Sequence, residues 1–494
     1  MEAAGDEEGP TTYGQIEHFL NSLEGLTAQQ RIDCIVAFLI SFLPPPLVPA
    51  PEVVGDDSDD ESFSLTSSDS EASDAGADPA AFHPVALGDG EDHISRLPDA
   101  LLSNIISRLA TQEAERTVVL SPRWRGVWAT TPLLIDDAHL VGAYGPHDIP
   151  IVRAVSRCVA AHPGPVRGVR LTGLSFSHEY SLRRLVADLA NKDVRDLILF
   201  NRPWPLNMPL PEDILRCASL ERLYLGVWQF PKINSAHPPL EILSIVMSFG
   251  SPSRLRIVSR SLQVVADWES TLDEVVVHDA PCLERLIFQT IDTRRSIKIV
   301  GAPRLQVLGF LDLNLHELEI GGIAIKAGMI VRARAMVPSL KVLAVIVRFA
   351  CNQEAKMLPT LLKCFPCLET LHILPVPSDS VNSTHNLEFW ESLGSCECLE
   401  LHLKTLMVHG CLVQNNEIGF LQYVIREGKP LKAVCLAPSP NNKVAIDMVS
   451  AKFGKNNAAS GGGSSTDISL AKINGWIFQN AIDMSVDTPS LWTT

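Results

Sequence analysis

No run of apolar residues in the N-terminal region of this chain is long enough to cross a bilayer. The best candidate, residues 32–43, is interrupted by Asp33 and stopped by prolines 44–46, whereas a span needs about 20 apolar residues. No secretory leader is expected either: Met1 runs into Glu2, Asp6, Glu7 and Glu8, with none of the basic residues that open a signal peptide. Clustered basic charge is scarce. Residues 1–90 hold 18 Asp and Glu against one Arg, while the other 404 residues hold 39 acids and 40 bases. The net charge of −16 therefore belongs to the first 90 residues, and the near-neutral body lacks the Lys and Arg clusters that a phosphate backbone requires. Catalytic signatures are absent as well. There is no Gly-x-x-x-x-Gly-Lys-Ser/Thr loop to cradle phosphates and no Gly-x-Ser-x-Gly elbow. The fourteen histidines include no pair four residues apart. The eleven cysteines are odd in number and scattered, which suits free thiols in a reducing compartment. These absences lead us to expect a protein of the cytoplasm and/or nucleus with no cofactor, no metal, no nucleic acid and no membrane partner.

What is present divides the chain into six parts. Residues 1–43 read as an accessory helical segment: Ile16, Phe19, Leu20 and Leu23, then Ile32, Ile35, Val36, Leu39 and Ile40, fall at helical spacing. Residues 44–90 are acidic and poor in apolar residues, the composition of a disordered linker. Ser58, Ser68 and Ser70 there each precede an acid and would suit an acidophilic kinase, although a plain solvated linker explains them too. Residues 91–136 are a helical unit, 150–395 a repeat body, 396–440 an αβ unit, and 455–494 a flexible C-terminal tail whose Gly461–Gly463 run follows no strand.

In the helical unit, Leu97, Leu101, Leu102, Ile105, Ile106 and Leu109 form a helical stripe, with Pro98 at the helix start. Thr111 can cap a second short helix carrying Ala114 and Val118. Ser121-Pro122 starts a third, with Trp124 and Trp128 one turn apart. Three short helices bury little surface, so the surplus apolar face should dock onto a partner or onto the next domain. The string from Asp92 to Leu109, followed by Glu113 to Trp128, is similar to the plant F-box: a Leu-Pro start, aliphatic positions in the first helix, an Arg-Thr-x-x-Leu-Ser step and a Trp-Arg-x-x-Trp end. Pro122 stands where a basic residue is more usual. The resemblance implies that these helices bind a Skp-type adaptor and, through it, a cullin. By position, Leu97, Pro98, Leu101, Ile105, Leu109, Val118, Leu120 and Trp124 would make that contact or its supporting core.

The body repeats a frame of a small residue or Pro, then Leu, two residues, and Leu or Val. Its copies pair Leu220 with Leu223, Leu240 with Leu243, Leu262 with Val265, Leu283 with Leu286, Leu305 with Leu308, Leu340 with Leu343, and Leu368 with Leu371. Most steps are about 20–29 residues, the leucine-rich-repeat range. Each repeat should supply one short strand and bury its face only by stacking on its neighbours. Earlier copies fit residues 166–171 and 194–199, and a degenerate one fits residues 315–320. Residues 403–408, 417–426 and 431–436 resemble the FBD domain as strand, helix, strand. The expected fold is α/β: a short three-helix F-box, an irregular leucine-rich-repeat solenoid and a C-terminal FBD-like αβ cap. The resemblance implies a non-catalytic substrate receptor of a Skp-cullin-F-box ubiquitin ligase that holds a target protein on its repeats. A repeat scaffold without a ubiquitin role is the alternative. A small-ligand sensor would need polar and basic side chains clustered on the top loops of the solenoid, where Arg202, Trp204 and Trp228 lie in candidate positions.

Isolated candidates for other chemistry have blander readings. Cys364, Cys367 and His372 have partial zinc-like spacing, yet Cys367 occupies the same frame position as Cys282 and a buried Cys behaves as a small hydrophobe. Cys396-x-Cys398 lacks a second pair. His278, His372 and His402 lie in strand-like runs and are expected to be structural. Arg294-Arg295 and Arg332-x-Arg334 are expected to be solvated.

Overall fold

A computed structural model describes most of residues 94–438. The gaps fall chiefly at 141–147, 202–207, 230–238, 249–253, 290–293 and 378–386, and residues 467–470 and a few positions between 25 and 37 are also described. Most of the 1–43 segment, the acidic linker, Gly461–Gly463, Arg202 and Trp204 lie outside the described residues.

The described chain opens with α1 (Asp99–Ile106), α2 (Thr111–Arg116), a 3-10 turn (Thr117–Val119) and α3 (Pro122–Thr130). Ser121 caps α3, its side chain accepting the Trp124 N–H at 3.3 Å, with Pro122 in the first helical turn. Pro98 sits one position earlier than expected, as the residue before α1. Thr111 does not cap α2. It is the first helical residue, and its hydroxyl donates to the Leu134 carbonyl at 2.7 Å. Leu102, Ile106, Ala114, Trp124 and Val127 form a small core of their own.

Chain order then gives β1 (Leu133–Asp136), α4 (Asp148–Ala161), β2 (Val166–Leu171), α5 (Glu179–Ala190), β3 (Asp196–Phe200), β4 (Arg222–Gly226), β5 (Ile242–Val246), β6 (Arg254–Val258), β7 (Val264–Trp268), β8 (Glu274–Asp279), β9 (Arg285–Gln289), β10 (Arg295–Ile299), β11 (Val307–Asp312), β12 (His316–Ile320) and β13 (Ile323–Ala324). It continues with β14 (Val342–Val347), α6 (Asn352–Cys364), β15 (Thr370–Pro375), α7 (Leu387–Ser392), α8 (Glu397–Leu401), β16 (Thr405–Cys411), α9 (Asn415–Glu427), β17 (Ala433–Pro438) and β18 (Asp467–Leu470). Thirteen strands form one long parallel sheet in the order β1-β2-β3-β4-β5-β7-β9-β11-β14-β15-β16-β17-β18, and β13-β12-β10-β8-β6 form a second sheet.

The mixed α/β class is as expected, and the repeat leucines behave as the frame requires. Leu220, Leu223, Leu240, Leu262, Leu283, Leu286, Leu305, Leu308, Leu340, Leu343, Leu368 and Leu371 are all buried in one continuous core. Leu243 is the exception. It is only half-buried, packed against that core. The expectation of one strand per repeat needs correction in the middle of the body. There each repeat spends two strands, one per sheet (β5 and β6, β7 and β8, β9 and β10, β11 and β12). Repeats of about 20–22 residues have room for a second strand but not for a helix as well as two turns. The 28-residue step from Leu340 to Leu368 does hold one, the 13-residue α6. Residues 315–320 are not a degenerate copy in the long sheet, because β12 lies in the second sheet. It turns at Gly321-Gly322, both at positive φ, a conformation glycine supplies at little cost.

Two boundaries also shift. Residues 133–136, placed by sequence at the end of the helical unit, are β1 and pair with β2. Within the stretch read as a flexible tail, β18 pairs in parallel with β17, so the FBD-like unit does not end the sheet.

Candidate functional site

The described residues with apolar bulk left in water concentrate on the helical unit. Val119 is 83% exposed, Leu120 63%, Ile94 57%, Leu101 51% and Ile105 39%, half of the ten large hydrophobic side chains exposed among the described residues. Local geometry produces this face. α1 buries Leu102 and Ile106 against α3, which turns Leu101 and Ile105 outward on the same helix. The 3-10 turn then presents Val119 and Leu120. Arg123 fastens the arrangement, its Nε donating to Asp99 at 2.8 Å and its guanidinium reaching the Leu97 carbonyl.

The sequence-chosen residues therefore divide in two. Pro98, Leu101, Ile105 and Leu120 are exposed. Trp124 is buried, and Leu97, Leu109 and Val118 are half-buried, so these four support the face more than they present it. Ile94 and Val119 were not picked out by sequence. Val119 stands in the 3-10 turn, which does not follow the 3.6-residue period that marked the stripe on α1.

Trp128 faces the repeat body and meets His162 edge to face, with centroids 4.6 Å apart. His162 Nε2 lies 2.9 Å from the Thr131 carbonyl, and Lys192 donates to the His162 carbonyl at 2.6 Å. Burial lowers the His162 pKa, so the ring stays neutral and donates from Nε2.

Two arginines in the body are paired with carboxylates. Arg295, expected to be solvated, lies in the core between the two sheets. It meets Asp267 at 2.6 Å, donates to the Ser270 and Leu272 carbonyls at 3.0 Å each and stacks over the Phe288 ring at 5.0 Å. Burial nevertheless pushes the Asp267 carboxyl up to about 6. Arg348 closes a second pair with Asp312 at 2.8 and 3.1 Å. The possible zinc cluster does not assemble. Cys364 is in the helix-side core, its thiol pushed up to about 12 by burial, whereas His372 alternates with the core residues Leu371 and Ile373 and so faces the other side of the sheet. There His372 Nδ1 lies 3.1 Å from His409 Nε2. Cys396 and Cys398 lie 3.5 Å apart. His278 is exposed on β8, not structural. Trp228, a candidate ligand-loop residue, is buried and donates from Nε1 to the Leu199 carbonyl at 2.8 Å, so it is part of the core. Among the described residues no helix is long and apolar enough to cross a membrane.

Comparison with known proteins agrees with this architecture. Residues 182–239 and 235–373 match the family of leucine-rich repeats of the FBD-associated F-box protein At5g56370, and residues 391–436 match the FBD family. The chain is similar to the Arabidopsis thaliana F-box/FBD/LRR-repeat protein At1g13570, with 28% identity over 237 residues, 47% of this chain and 51% of the relative. It is also similar to the F-box/FBD/LRR-repeat protein At3g52680 of the same plant, with 26% identity over 232 residues, 46% of each, and to the F-box protein At1g60400, with 28% identity over 150 residues, 28% of this chain and 35% of the relative. The chain thus spans about half or less of the length of these curated relatives.

Proposed function

We propose that this chain, which is similar to plant F-box/FBD/leucine-rich-repeat proteins over about half its length, is a substrate receptor of a Skp-cullin-F-box ubiquitin ligase. The observation that carries this reading is the exposed apolar face of Ile94, Leu101, Ile105, Val119 and Leu120 on a unit whose own core is already complete. Aliphatic groups left in water on a small rigid unit are stabilised by a partner, at about 1.5–3 kcal/mol for each side chain fully buried. A Skp-type adaptor is the partner that the family implies, and a cullin follows through it. The repeats would then hold a target protein and the FBD unit would extend the same sheet. The chain's contribution is proximity, since holding a target near a charged conjugating enzyme raises its effective concentration. The chemistry belongs to other subunits.

Co-purification of the full chain with a Skp-type adaptor and a cullin tests this, run beside a Leu101→Asp/Ile105→Asp variant. Retention of both partners by the wild type and their loss by the variant is expected. A folded wild type that retains neither would leave a repeat scaffold with no role in ubiquitin transfer.

A further inference from the structure

The FBD-like unit carries a chemical group that the receptor reading does not use. Cys396 and Cys398 are separated by one residue, and their Sγ atoms lie 3.5 Å apart. The local backbone produces this approach. On a regular helix, residues i and i+2 do not face each other. On a strand they share a face but stand about 6.6 Å apart. Here Cys396 is extended, with φ −137° and ψ 163°, and α8 begins at the next residue. The change from strand-like to helical backbone between Cys396 and Glu397 folds the two side chains onto each other.

The two sulfurs have different surroundings. Cys398 belongs to the continuous buried core, and Cys396 is half-buried at its margin. One thiol is therefore reachable from solvent, and the other stands behind it. The Cys398 S–H, bonded to the Cys396 sulfur, holds the Cys396 thiol below the ordinary range, with Lys363 of α6 adding to the effect. The same bond, together with burial, pushes the Cys398 thiol up. The Tyr423 hydroxyl of α9 donates to the Gly394 carbonyl at 3.1 Å and lies beside the Cys396 sulfur. A partly exposed thiol beside a cation is reactive, whereas a thiol sealed among apolar groups is inert. Cys217 and Cys364 are of the second kind, pushed by burial up to about 11 and about 12.

We propose that Cys396 and Cys398 form a reversible redox site, closed to a disulfide by a peroxide and reopened by a monothiol. The Cys396 thiolate attacks one peroxide oxygen, the O–O bond breaks, and hydroxide leaves and takes a proton from solvent. Cys396 is then a sulfenic acid. The Cys398 sulfur attacks the Cys396 sulfur. The S–S bond forms, the S–O bond breaks, and the hydroxyl leaves with the Cys398 proton as water. The two thiols lose two electrons, which the peroxide takes up. The sulfurs must approach by about 1.5 Å to reach the disulfide length of about 2.05 Å. A ring closed across a single residue is strained, and strained disulfides are readily reduced. Two molecules of a monothiol therefore reopen it and leave as their own disulfide. The site stands whether or not the chain serves a ubiquitin ligase.

Differential alkylation of the reduced full chain, read by mass spectrometry, tests this. Under a short pulse of iodoacetamide at pH 7, Cys396 is expected to label at least about tenfold faster than Cys282 and Cys367, which are also half-buried. One equivalent of hydrogen peroxide is expected to give a peptide two hydrogens lighter, with Cys396 joined to Cys398, and glutathione is expected to restore it. In Cys398→Ala, peroxide is expected to leave a sulfenic acid at Cys396 that dimedone traps. Labelling of Cys396 no faster than that of Cys282 and Cys367, or a peroxide product without the bond between Cys396 and Cys398, would overturn the proposal. The unsubstituted chain decides both points even if Cys398→Ala fails to fold.

Discussion

Trp128 and His162 meet edge to face with ring centroids 4.6 Å apart, and this contact joins the three-helix unit to the repeat body. His162 also bonds the Thr131 carbonyl, so two contacts fix the orientation of one module on the other. The exposed face of the helical unit and the surfaces of the sheet are therefore held in one geometry.

Gly164 tests that junction. A Cβ there would lie 2.8 Å from both the Ala129 carbonyl oxygen and His162 Nε2. Gly164→Val should force the modules apart and cost about 1–3 kcal/mol. Urea unfolding should show a lowered midpoint, and limited proteolysis should cut faster between residues 130 and 165.

Most of the fold was legible because the repeat frame marks strands directly. The alternation of Val166–Leu171 marks the strand β2, and twelve of the thirteen frame leucines are buried. The second sheet was not legible. Runs such as Ile297–Ile299 alternate like any half-buried strand, and nothing local says which sheet will accept them. Arg295 was misread for a related reason. An arginine beside an arginine looks solvated, and its partner Asp267 lies 28 positions earlier in the chain. Of the candidate site, the helical face was legible and the 3-10 turn that carries Val119 was not.

The Arg294 and Arg295 neighbours should behave oppositely. Arg295→Ala leaves Asp267 buried without its cation and should cost about 3–5 kcal/mol. Arg294 is exposed, and Arg294→Ala should stay within about 0.5 kcal/mol of the wild type. Urea midpoints of the two variants check this.

Acid should destabilise the protein through its buried histidines. Burial lowers the pKa of His372 well below the ordinary value and those of His316 and His409 to about 4, with Arg295 adding to the effect at His316 and His409 to that at His372. The unfolded chain then binds protons that the folded chain refuses, so stability is lost as pH falls from about 6.5 towards 4. The slope is about 1.4 kcal/mol per pH unit for each such histidine. His409→Gln should reduce that slope by about one proton, read from urea midpoints between pH 7 and pH 5.

Charge placed on the exposed apolar face should leave folding intact. Val119 and Leu120 have no role in the small core, so Val119→Asp/Leu120→Asp should change stability by less than about 1 kcal/mol. Trp124→Ala, which empties that core, should cost about 3–5 kcal/mol. Thermal unfolding of the two variants separates the face from its support.

The most direct test of the receptor reading is calorimetric titration of the full chain with a purified Skp-type adaptor, comparing the wild type with Val119→Asp/Leu120→Asp. The account predicts a saturable complex for the wild type with a negative heat-capacity change, the mark of buried apolar surface, and affinity weakened at least about 100-fold in the variant. A folded wild type that does not bind, or a variant that binds as tightly as the wild type, would contradict it.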